Sequence, residues 1–217
     1  MLYLYNMDIT QARFNNIDMF LTRFLPNSKK LIIENQYYDI DKLLTLYSGL
    51  LLRLKISTIS GISIESLEFI NGCFGKPEFK HDKKIYFNIS HTRSHILCSI
   101  SLTSELGADV EKVANPPYEV MEIAFHQSER DYINSIDAYA KEERFYEVWT
   151  KKESYLKKIG TGLIDSMGEI NTLELENNFY SYKYSDYMCS VCYDHKPNKI
   201  IRENVSLGSL RQYFLNL

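Results

Sequence analysis

The sequence predicts an α+β protein in which helices and strands are interleaved along two halves of the chain. Some segments carry apolar residues three or four positions apart, as helices do, and others alternate apolar and polar residues, as strands do. With 217 residues, the chain can form one large domain or two small ones. We predict an N-terminal subdomain at residues 1–104 and a C-terminal subdomain at residues 105–217.

The first half opens with a strand predicted over Leu2 to Met7 and a helix predicted over Thr10 to Leu25, which ends before Pro26. The basic segment Asn27 to Lys30 follows, and taken alone it is a solvated loop or the start of a helix. Leucines three or four positions apart predict a core helix over Asp41 to Leu54.

The rest of the first half is predicted to contain a helix, a turn and a β-hairpin. The helix covers Ser63 to Ile70, and the hairpin consists of Ile85 to His91 and His95 to Leu102. Between them, two glycines and a proline make a turn, Asn71 to Pro77, in which the backbone can approach a ligand closely. Such turns are also common connectors, so Lys76 within this turn is a weak candidate on its own.

Ser90 and His91 lie where the first strand of this hairpin gives way to its turn. Loops that follow strands often carry binding residues, and a histidine can donate a hydrogen bond to a phosphate. A single histidine is more often an ordinary surface or core residue, so this signal is also weak when taken alone.

Two carboxylates lie side by side on the strand predicted over Leu106 to Glu111. Positions two apart on a strand share a face, so Asp109 and Glu111 point the same way while Ala108 and Val110 pack inward. Like charges this close are unfavourable unless a cation lies between them. Oxygen ligands suit Mg²⁺, which often shares its coordination with substrate phosphates. An exposed edge strand with alternating acids is the alternative explanation.

Helices and strands are interleaved in the second half as well. A break at Asn115-Pro116-Pro117 precedes a helix predicted from about Tyr118 to Tyr132. A longer helix, or a pair of helices, is predicted over Lys141 to Ile159. Three later segments have the pattern of antiparallel strands: Leu173 to Leu175, Phe179 to Tyr184 and Tyr187 to Tyr193. The final segment to Leu217 allows no prediction.

The end of the long helix carries a group of charged residues. Gly160 is a predicted helix C-cap, and Glu153 and Lys157 are four residues apart, which places them on one face. Lys152 lies beside Glu153 on the next face. A solvated helix with one surface salt bridge is the simplest explanation of this spacing when it is taken alone.

Composition and charge exclude several classes of protein. A formal net charge of −3 is unlike that of a general nucleic-acid-binding protein, which needs a basic surface. No apolar run approaches the length that spans a bilayer, and the N-terminus lacks the features of a secretory signal. We therefore expect a cytoplasmic protein with neither a nucleic-acid nor a membrane partner.

The four cysteines are too few for a disulfide framework in a chain of this length. Cys189 and Cys192 match the spacing C-x-x-C, but they lie within a predicted strand, where residues three apart point to opposite faces. We expect ordinary buried thiols at these positions rather than a metal or redox site.

Five motifs occur in one order along the chain, and their combination is specific. They are Gly75-Lys76-Pro77, Phe87-Asn88-Ile89-Ser90-His91, Gly107-Ala108-Asp109-Val110-Glu111, Phe125 with Glu129, and Trp149-Thr150-x-Lys152-Glu153-Ser154-x-x-Lys157-x-x-Gly160-x-Gly162-Leu163. In order and spacing they resemble the motifs of the 4′-phosphopantetheinyl transferases of the larger, surfactin-synthetase-activating (Sfp-like) type. The resemblance extends over nearly the whole chain.

This resemblance implies a monomeric cytoplasmic enzyme whose two similar α/β subdomains form a pseudo-dimer and hold coenzyme A in the cleft between them. Such an enzyme transfers 4′-phosphopantetheine from coenzyme A to a serine of an apo acyl- or peptidyl-carrier protein, and releases adenosine 3′,5′-bisphosphate. The carrier protein is expected to dock on the second half, near the segment after Leu163.

The same resemblance implies a role for each matching residue. Asp109, Glu111 and Glu153 are expected to hold Mg²⁺ on the pyrophosphate of coenzyme A. Glu153 is also expected to accept the proton of the serine, and Lys157 to neutralise the phosphates and assist the leaving group. The residues expected to contact coenzyme A are Lys29, Thr45, Lys76, Ser90, His91, Lys152 and Lys157. Glu129 is expected to be an accessory acid.

The sequence departs from the family pattern at residues expected to bind coenzyme A. Leu44-Thr45 stands where an Arg-Thr pair is usual, Thr92 where a serine is common, and Thr161 where a lysine is common. A basic contact to the nucleotide is therefore missing or supplied by Lys42. These changes bear on affinity for coenzyme A more than on metal chemistry.

Two other classes of function remain open. In a Mg²⁺-dependent hydrolase of phosphoanhydrides, water would take the place of the serine. A non-catalytic module would bind carrier protein or coenzyme A without any reaction, although binding alone does not need three converging acids.

Overall fold

The two long helices of the chain each pack against a sheet, one in each half. In this computed structural model, residues 1–72, 75–161 and 165–217 are described, with the backbone alone for residues 138, 139, 165 and 166. The strands are β1 (Leu2–Asp8), β2 (Phe69–Asn71), β3 (Pro77–Phe79), β4 (Tyr86–Thr92), β5 (His95–Ser101), β6 (Leu106–Lys112), β7 (Phe179–Tyr184), β8 (Tyr187–Tyr193) and β9 (Ile200–Asn204). The helices are α1 (Asn16–Leu21), α2 (Asn27–Asn35), α3 (Asp39–Ser60), α4 (Met121–Ala124), α5 (Gln127–Asn134), α6 (Ala138–Ile159) and α7 (Leu207–Leu215).

The strands form two sheets and a separate hairpin. The first sheet has the order β4-β5-β1-β9, and its neighbours are antiparallel except for β1 and β9, which are parallel. The second sheet has the order β6-β8-β7 and is antiparallel throughout. β2 and β3 form the hairpin. The α+β fold class that the sequence predicts is confirmed.

Helix α3 supplies the core of the first half. Leu43, Leu46 and Leu50 are fully buried and belong to one apolar cluster with Met7 of β1 and Ile100 of β5. Within the described part of the chain, α3 is also the one helix that is long and apolar enough to cross a membrane by length and composition. Our expectation that no run reaches this length was wrong by that criterion, but most of the helix is buried in the protein core.

Helix α6 is a single helix rather than a pair, and it packs on the second sheet. Phe145, Val148 and Leu156 are its most deeply buried apolar residues. Gly160 follows the helix with a φ of 80°, and its N–H donates to the carbonyl of Leu156 at 2.8 Å. The glycine C-cap predicted from the sequence is therefore confirmed.

The helix predicted over Thr10 to Leu25 is shorter in the structure. α1 begins only at Asn16, because Asn15 caps it by accepting a hydrogen bond from the backbone N–H of Ile17 at 2.9 Å. A 3₁₀ turn completes the segment before Pro26, and the basic residues that follow are the first turn of α2.

The helix predicted over Ser63 to Ile70 is wrong. A short 3₁₀ turn, Ile64–Ser66, leads instead into β2, which pairs with β3. Phe69 of β2 packs against Phe79 of β3, with 5.9 Å between the ring centroids. This cross-strand packing outweighs the helical spacing of the apolar residues.

The glycine-containing turn predicted over Asn71 to Pro77 connects β2 to β3. Gly75 has a φ of 79°, in the left-handed region that favours glycine. Cys73-Phe74 of this turn and Gly162-Leu163 of the last sequence motif lie outside the described residues.

Two predictions in the second half also need correction. The helix predicted from Tyr118 to Tyr132 is divided into a 3₁₀ turn (Tyr118–Val120), α4 and α5. His126 is extended and caps α5, where the side chain of Glu129 accepts a hydrogen bond from its N–H at 2.9 Å. The strand predicted over Leu173 to Leu175 is a turn, whereas β7 and β8 confirm the two strands after it.

The last segment returns to the first half of the molecule. β9 pairs with β1, and Leu210 and Phe214 of α7 join the first core. Arg211 of α7 also forms an ion pair at 2.7 Å with the buried carboxylate of Asp18. The division of the chain near residue 104 stays a prediction, but β9 and α7, which we expected in the second half, pair with β1 and join the first core. β9 also touches the second half, because the Arg202 guanidinium lies over the ring of Tyr182 at 5.1 Å.

The described cysteines, Cys98, Cys189 and Cys192, are free and buried. Burial raises the pKa of Cys189 and of Cys192 to about 12. Both observations agree with the ordinary buried thiols expected from the strand pattern.

The two halves meet along β6, which lies beside β4 and against α6. The N–H of Ala108 donates to Asn88 Oδ1 of β4 at 2.9 Å. At Gly107 the helix is so close that a β-carbon would lie 2.0 Å from the carbonyl oxygen of Ser154 and 2.3 Å from the nitrogen of Lys158. Only glycine fits at this position without moving the helix.

The contact at Gly107 can be tested by unfolding. Gly107→Ala is expected to lower the free energy of unfolding by about 1–3 kcal/mol, because the new methyl group overlaps the α6 backbone. Gly208→Ala in α7, where no atom lies within 4 Å of the added β-carbon, is the matched control. The control should raise stability by up to about 1 kcal/mol. Urea unfolding measures both changes, and an unchanged stability for Gly107→Ala would contradict the close approach.

Candidate active site

Asp109 lies at the centre of the candidate site, in the middle of β6 and almost fully buried. Its Oδ1 accepts hydrogen bonds from Lys157 Nζ at 2.6 Å and from Ser90 Oγ at 2.8 Å. Its Oδ2 is also buried, and no hydrogen-bond partner is found for it among the described residues. A buried carboxylate oxygen without a partner is costly, so a donor or cation bound at this atom would be stabilising.

Glu111 lies two residues further along β6 and on the same face, as the strand pattern predicted. Ala108, which precedes Asp109, and Val110, which lies between the two acids, are fully buried on the other face of the strand. Glu111 is half-buried and accepts a hydrogen bond from Thr92 Oγ1 of β4 at 3.0 Å. Burial raises its pKa, and the negative charge of Asp109 raises it further.

Glu153 brings the third carboxylate from α6. It is half-buried, and burial together with the charge of Asp109 raises its pKa to about 7. Glu111 contributes to the same rise, whereas Lys157 opposes it. The three acids therefore act on one another electrostatically, although they come from separate parts of the sequence.

Lys157 is the cation at the centre of this group. Its Nζ lies 2.6 Å from Asp109 Oδ1 and 2.9 Å from Ser90 Oγ, and about a third of its side chain, 32%, is exposed. Glu153 and Lys157 share a face of α6 as predicted, because Lys157 forms an ion pair with Asp109 and Glu153 interacts electrostatically with the same carboxylate. We call Ser90, Asp109, Glu111, Glu153 and Lys157 the acid–lysine cluster.

A groove beside the cluster collects three more of the predicted residues. Lys29 of α2, Thr45 of α3 and His91 of β4 line this groove, which has a volume of about 490 Å³. Partial burial lowers the pKa of His91, and the positive charges of Lys157 and Lys29 lower it further. Its imidazole is therefore neutral at neutral pH and can still donate one ring N–H.

The same groove contains a basic residue of the predicted core helix that was not assigned to the site from the sequence. Arg53 of α3 lines it, whereas Lys42, which we had considered as the missing basic contact, lies over the ring of Phe14 at 5.5 Å. Helical spacing could have identified Arg53, because it lies eight residues after Thr45 and so on the same side of α3.

Lys76 is engaged between the two halves. Its Nζ donates to Glu105 at 2.9 Å, to the carbonyl of Leu106 at 3.1 Å and to the carbonyl of Lys158 at 3.0 Å. An ammonium group has three donors, so all of them are in use. Lys76 can bind a phosphate of coenzyme A only by releasing one of these partners.

The structure places Lys152 away from the other residues predicted to contact coenzyme A, and its contact with coenzyme A stays a prediction. Its side chain is completely buried and forms an ion pair at 2.8 Å with Glu129, which is also completely buried. Its ammonium group donates to the carbonyls of Met167 and Ile170 as well. A lysine packed in this way orders the segment around these carbonyls and cannot reach the cluster.

Glu129 is occupied in the same buried network, and its expected role as an accessory acid stays a prediction. Besides Lys152, its carboxylate accepts hydrogen bonds from the N–H and Oγ1 of Thr172, at 2.8 and 2.7 Å, and from the N–H of His126. These bonds use the carboxylate fully, as a buried charge requires.

Strand alternation could also have revealed two residues that support the acids. Asn88, Ser90 and Thr92 are two apart on β4 and all bind β6, respectively at Ala108, Asp109 and Glu111. The sequence analysis singled out Ser90 alone among them as a site residue.

The acid–lysine cluster has the oxygen ligands that a divalent cation prefers, but its side chains are not close enough together to bind one as they stand. Across residues 1–72, 75–161 and 165–217, no three His, Cys, Asp or Glu side chains are grouped closely enough to hold a metal ion as they stand. Oδ2 of Asp109 has no partner among the described residues, and burial raises the pKa of Glu111 and of Glu153, so a positive charge bound beside these acids would be stabilising.

The fold and site define an α+β protein with acids and a lysine gathered where its two halves meet. Residues 105–208 match the family model described as the 4′-phosphopantetheinyl transferase superfamily. The chain belongs to this superfamily, which confirms the resemblance read from its motifs.

Individual relatives agree with this assignment. The 4′-phosphopantetheinyl transferase gsp of Aneurinibacillus migulanus is 31% identical over 153 residues, covering 69% of this chain and 63% of the relative. The 4′-phosphopantetheinyl transferase Sfp of Bacillus subtilis (strain 168) is 27% identical over 140 residues, covering 64% and 62%. The L-aminoadipate-semialdehyde dehydrogenase-phosphopantetheinyl transferase of Saccharomyces cerevisiae is 24% identical over 228 residues, covering 90% and 83%. The chain spans a little under two thirds of the length of the bacterial relatives.

The structural role of Lys152 can be tested with a double variant. Lys152→Met leaves the charge of Glu129 buried and unpaired, so it should cost about 3–5 kcal/mol of stability. Adding Glu129→Gln removes that charge and should recover part of the loss. The folded double variant should bind coenzyme A as the wild type does, measured by calorimetry. A tenfold weaker affinity in a folded double variant would restore Lys152 to the binding site.

Proposed function

We propose that this protein transfers 4′-phosphopantetheine from coenzyme A to a serine hydroxyl of an apo acyl- or peptidyl-carrier protein and releases adenosine 3′,5′-bisphosphate. The observation that carries this proposal is the contact of Lys157 with both Asp109 and Ser90. This contact brings together three family motifs, from β4, β6 and α6, where the two halves of the chain meet.

Glu153 is the proposed general base. The serine oxygen attacks the phosphorus that bears pantetheine, its proton passes to the Glu153 carboxylate directly or through water, and the bond to the departing nucleotide phosphate breaks. A base works best when its pKa is near the working pH, and burial beside Asp109 raises the pKa of Glu153 to about 7. Lys157 stabilises the negative charge that develops on the departing phosphate.

Asp109, Glu111 and Glu153 are the residues that would hold Mg²⁺. When bound, the ion would neutralise the pyrophosphate oxygens and favour departure of the nucleotide. Oδ2 of Asp109 supports this assignment, because it is buried and lacks a hydrogen-bond partner among the described residues. Lys157 shares Asp109 with the ion, and its partly exposed side chain allows it to turn toward the phosphate.

The groove lined by Lys29, Thr45 and His91 is the proposed site of the nucleotide part of coenzyme A. Lys29 supplies a positive charge, Thr45 a hydroxyl, and neutral His91 a ring N–H for the 3′-phosphate. Arg53 adds a second positive charge where the usual arginine of the first core helix is missing. Ser90 follows the groove on β4 next to His91 and is bound to Asp109 and Lys157, so it belongs to the acid end of the site.

The proposal includes the wider expectations from the sequence. The enzyme acts as a cytoplasmic monomer, with coenzyme A as its co-substrate and a carrier protein as its macromolecular partner. Hydrolysis of a phosphoanhydride and binding without reaction are the competing functions, and one assay separates all three.

That assay is mass spectrometry of an apo carrier protein after mixing with the enzyme, coenzyme A and Mg²⁺. Transfer predicts a gain of one phosphopantetheine on the carrier. Hydrolysis predicts cleaved coenzyme A with no adduct, and a binding module predicts neither. A panel of acyl- and peptidyl-carrier proteins is needed, so that one unsuitable carrier does not decide the result.

Glu153→Gln should lower the rate of transfer at least about a hundredfold, because the amide cannot accept the serine proton. Glu142→Gln is the matched control, since it lies about three turns earlier on the same helix and should transfer at the normal rate. Near-normal turnover by Glu153→Gln with Mg²⁺ present would show that Glu153 is neither the base nor an essential ligand.

A further inference from the structure

Arg93, in the turn between β4 and β5, has an unusual backbone conformation. Its φ is +54°, and in the described part of the chain it shares a positive φ with only one other non-glycine residue, Ser185. Side chains other than those of Asn and Asp rarely adopt this conformation, because the β-carbon crowds the carbonyl oxygen. A two-residue hairpin turn requires this conformation at its first residue, and Arg93 is that residue, since Thr92 of β4 pairs with His95 of β5.

The Arg93 side chain is exposed, and no hydrogen bond or ion pair joins it to another described residue. Burial and the charge of Asp109 raise the pKa of Glu111, and the positive charge of Arg93 opposes that rise. The turn is held in place by the neighbouring residue, because Thr92 Oγ1 donates to Glu111.

Two cations therefore flank the carboxylates, and they differ in availability. Lys157 already binds Asp109 and Ser90, whereas Arg93 is uncommitted. A phosphate that approaches Asp109, Glu111 and Glu153 is repelled by them and needs a compensating positive charge. A guanidinium is well suited, because its planar fork can donate two parallel hydrogen bonds to one phosphate and stays charged at every working pH.

We propose that Arg93 is a substrate-binding residue that holds the phosphate being transferred, the one attached to pantetheine. This inference rests on the proposed function, because it assigns Arg93 to one phosphate of coenzyme A. It separates two anion sites in the protein: the groove with Lys29 and His91 for the nucleotide's 3′-phosphate, and the Arg93 turn for the phosphate that leaves with pantetheine.

Arg93→Gly tests the proposal, because a function and a purely structural role predict different results. Glycine relieves the backbone strain, so the melting temperature should rise by about 1–4 °C. Loss of the guanidinium should weaken the binding of coenzyme A about ten- to a hundredfold, as measured by calorimetry with Mg²⁺ present. Arg93→Lys should lie between the wild type and Arg93→Gly in affinity, since it keeps the charge and loses the fork.

Three ligands identify which phosphate Arg93 binds. Coenzyme A and dephospho-coenzyme A both carry the phosphate attached to pantetheine, so Arg93→Gly should weaken both by the same factor. Adenosine 3′,5′-bisphosphate lacks that phosphate, and its affinity should change less than about twofold. His91→Ala should show the opposite pattern, with dephospho-coenzyme A affected least.

Two matched variants control for strain and for charge. Ser185→Gly relieves the other positive φ, in the turn between β7 and β8, and should raise the melting temperature with coenzyme A affinity unchanged. Lys112→Gln removes a positive charge one residue beyond Glu111, on the opposite face of β6, and should leave the affinity within about twofold.

The proposal is overturned if Arg93→Gly binds coenzyme A as the wild type does, or if it loses affinity for adenosine 3′,5′-bisphosphate equally. Wild-type transfer to the carrier panel is measured on the same preparation. A wild type that binds coenzyme A but transfers nothing contradicts the proposed function while the ligand comparison still decides the role of Arg93. A wild type that binds none of the three ligands overturns both.

Discussion

The structure depends on the close contact between β6 and α6 at Gly107. A β-carbon there would lie 2.0 Å from a backbone oxygen of the helix, so strand and helix touch through their main chains. This contact sets the distance from Asp109 and Glu111 on the strand to Glu153 and Lys157 on the helix. A larger residue at 107 would push the helix away, and the four charged side chains would separate with it.

Gathering three acids in a half-buried site costs stability, and the surrounding residues offset only part of that cost. Lys157 pairs with Asp109, and hydroxyl groups of β4 satisfy one oxygen each of Asp109 and Glu111. The raised pKa of Glu153 shows that the balance stays unfavourable for its charge. Elsewhere on α6, the fully buried pair of Lys152 and Glu129 fixes the helix to the segment after it. The charges of the site are thus unfavourable by themselves, and they are held within a well-anchored frame.

Much of this could be predicted from the sequence where local pattern decides the structure. The alternation along β6 predicted that Asp109 and Glu111 share a face, and helical spacing predicted the same for Glu153 and Lys157. Local pattern failed where distant residues decide. Lysine is usually a surface residue, and Lys152 can be buried only because it pairs with Glu129 on α5. The return of β9 to β1 likewise depends on a pairing across nearly the whole chain, which no spacing within the segment reveals.

The central claim is that Asp109, Glu111 and Glu153 form one divalent-cation site together with bound coenzyme A. Binding of Mn²⁺, followed by electron paramagnetic resonance with coenzyme A present, tests it without any reaction. The wild type should bind one ion, and Asp109→Asn should bind it at least about tenfold more weakly. Glu119→Gln, at an exposed acid in the 3₁₀ turn before α4, is the control and should bind normally. Equal binding by Asp109→Asn and the wild type would contradict the account.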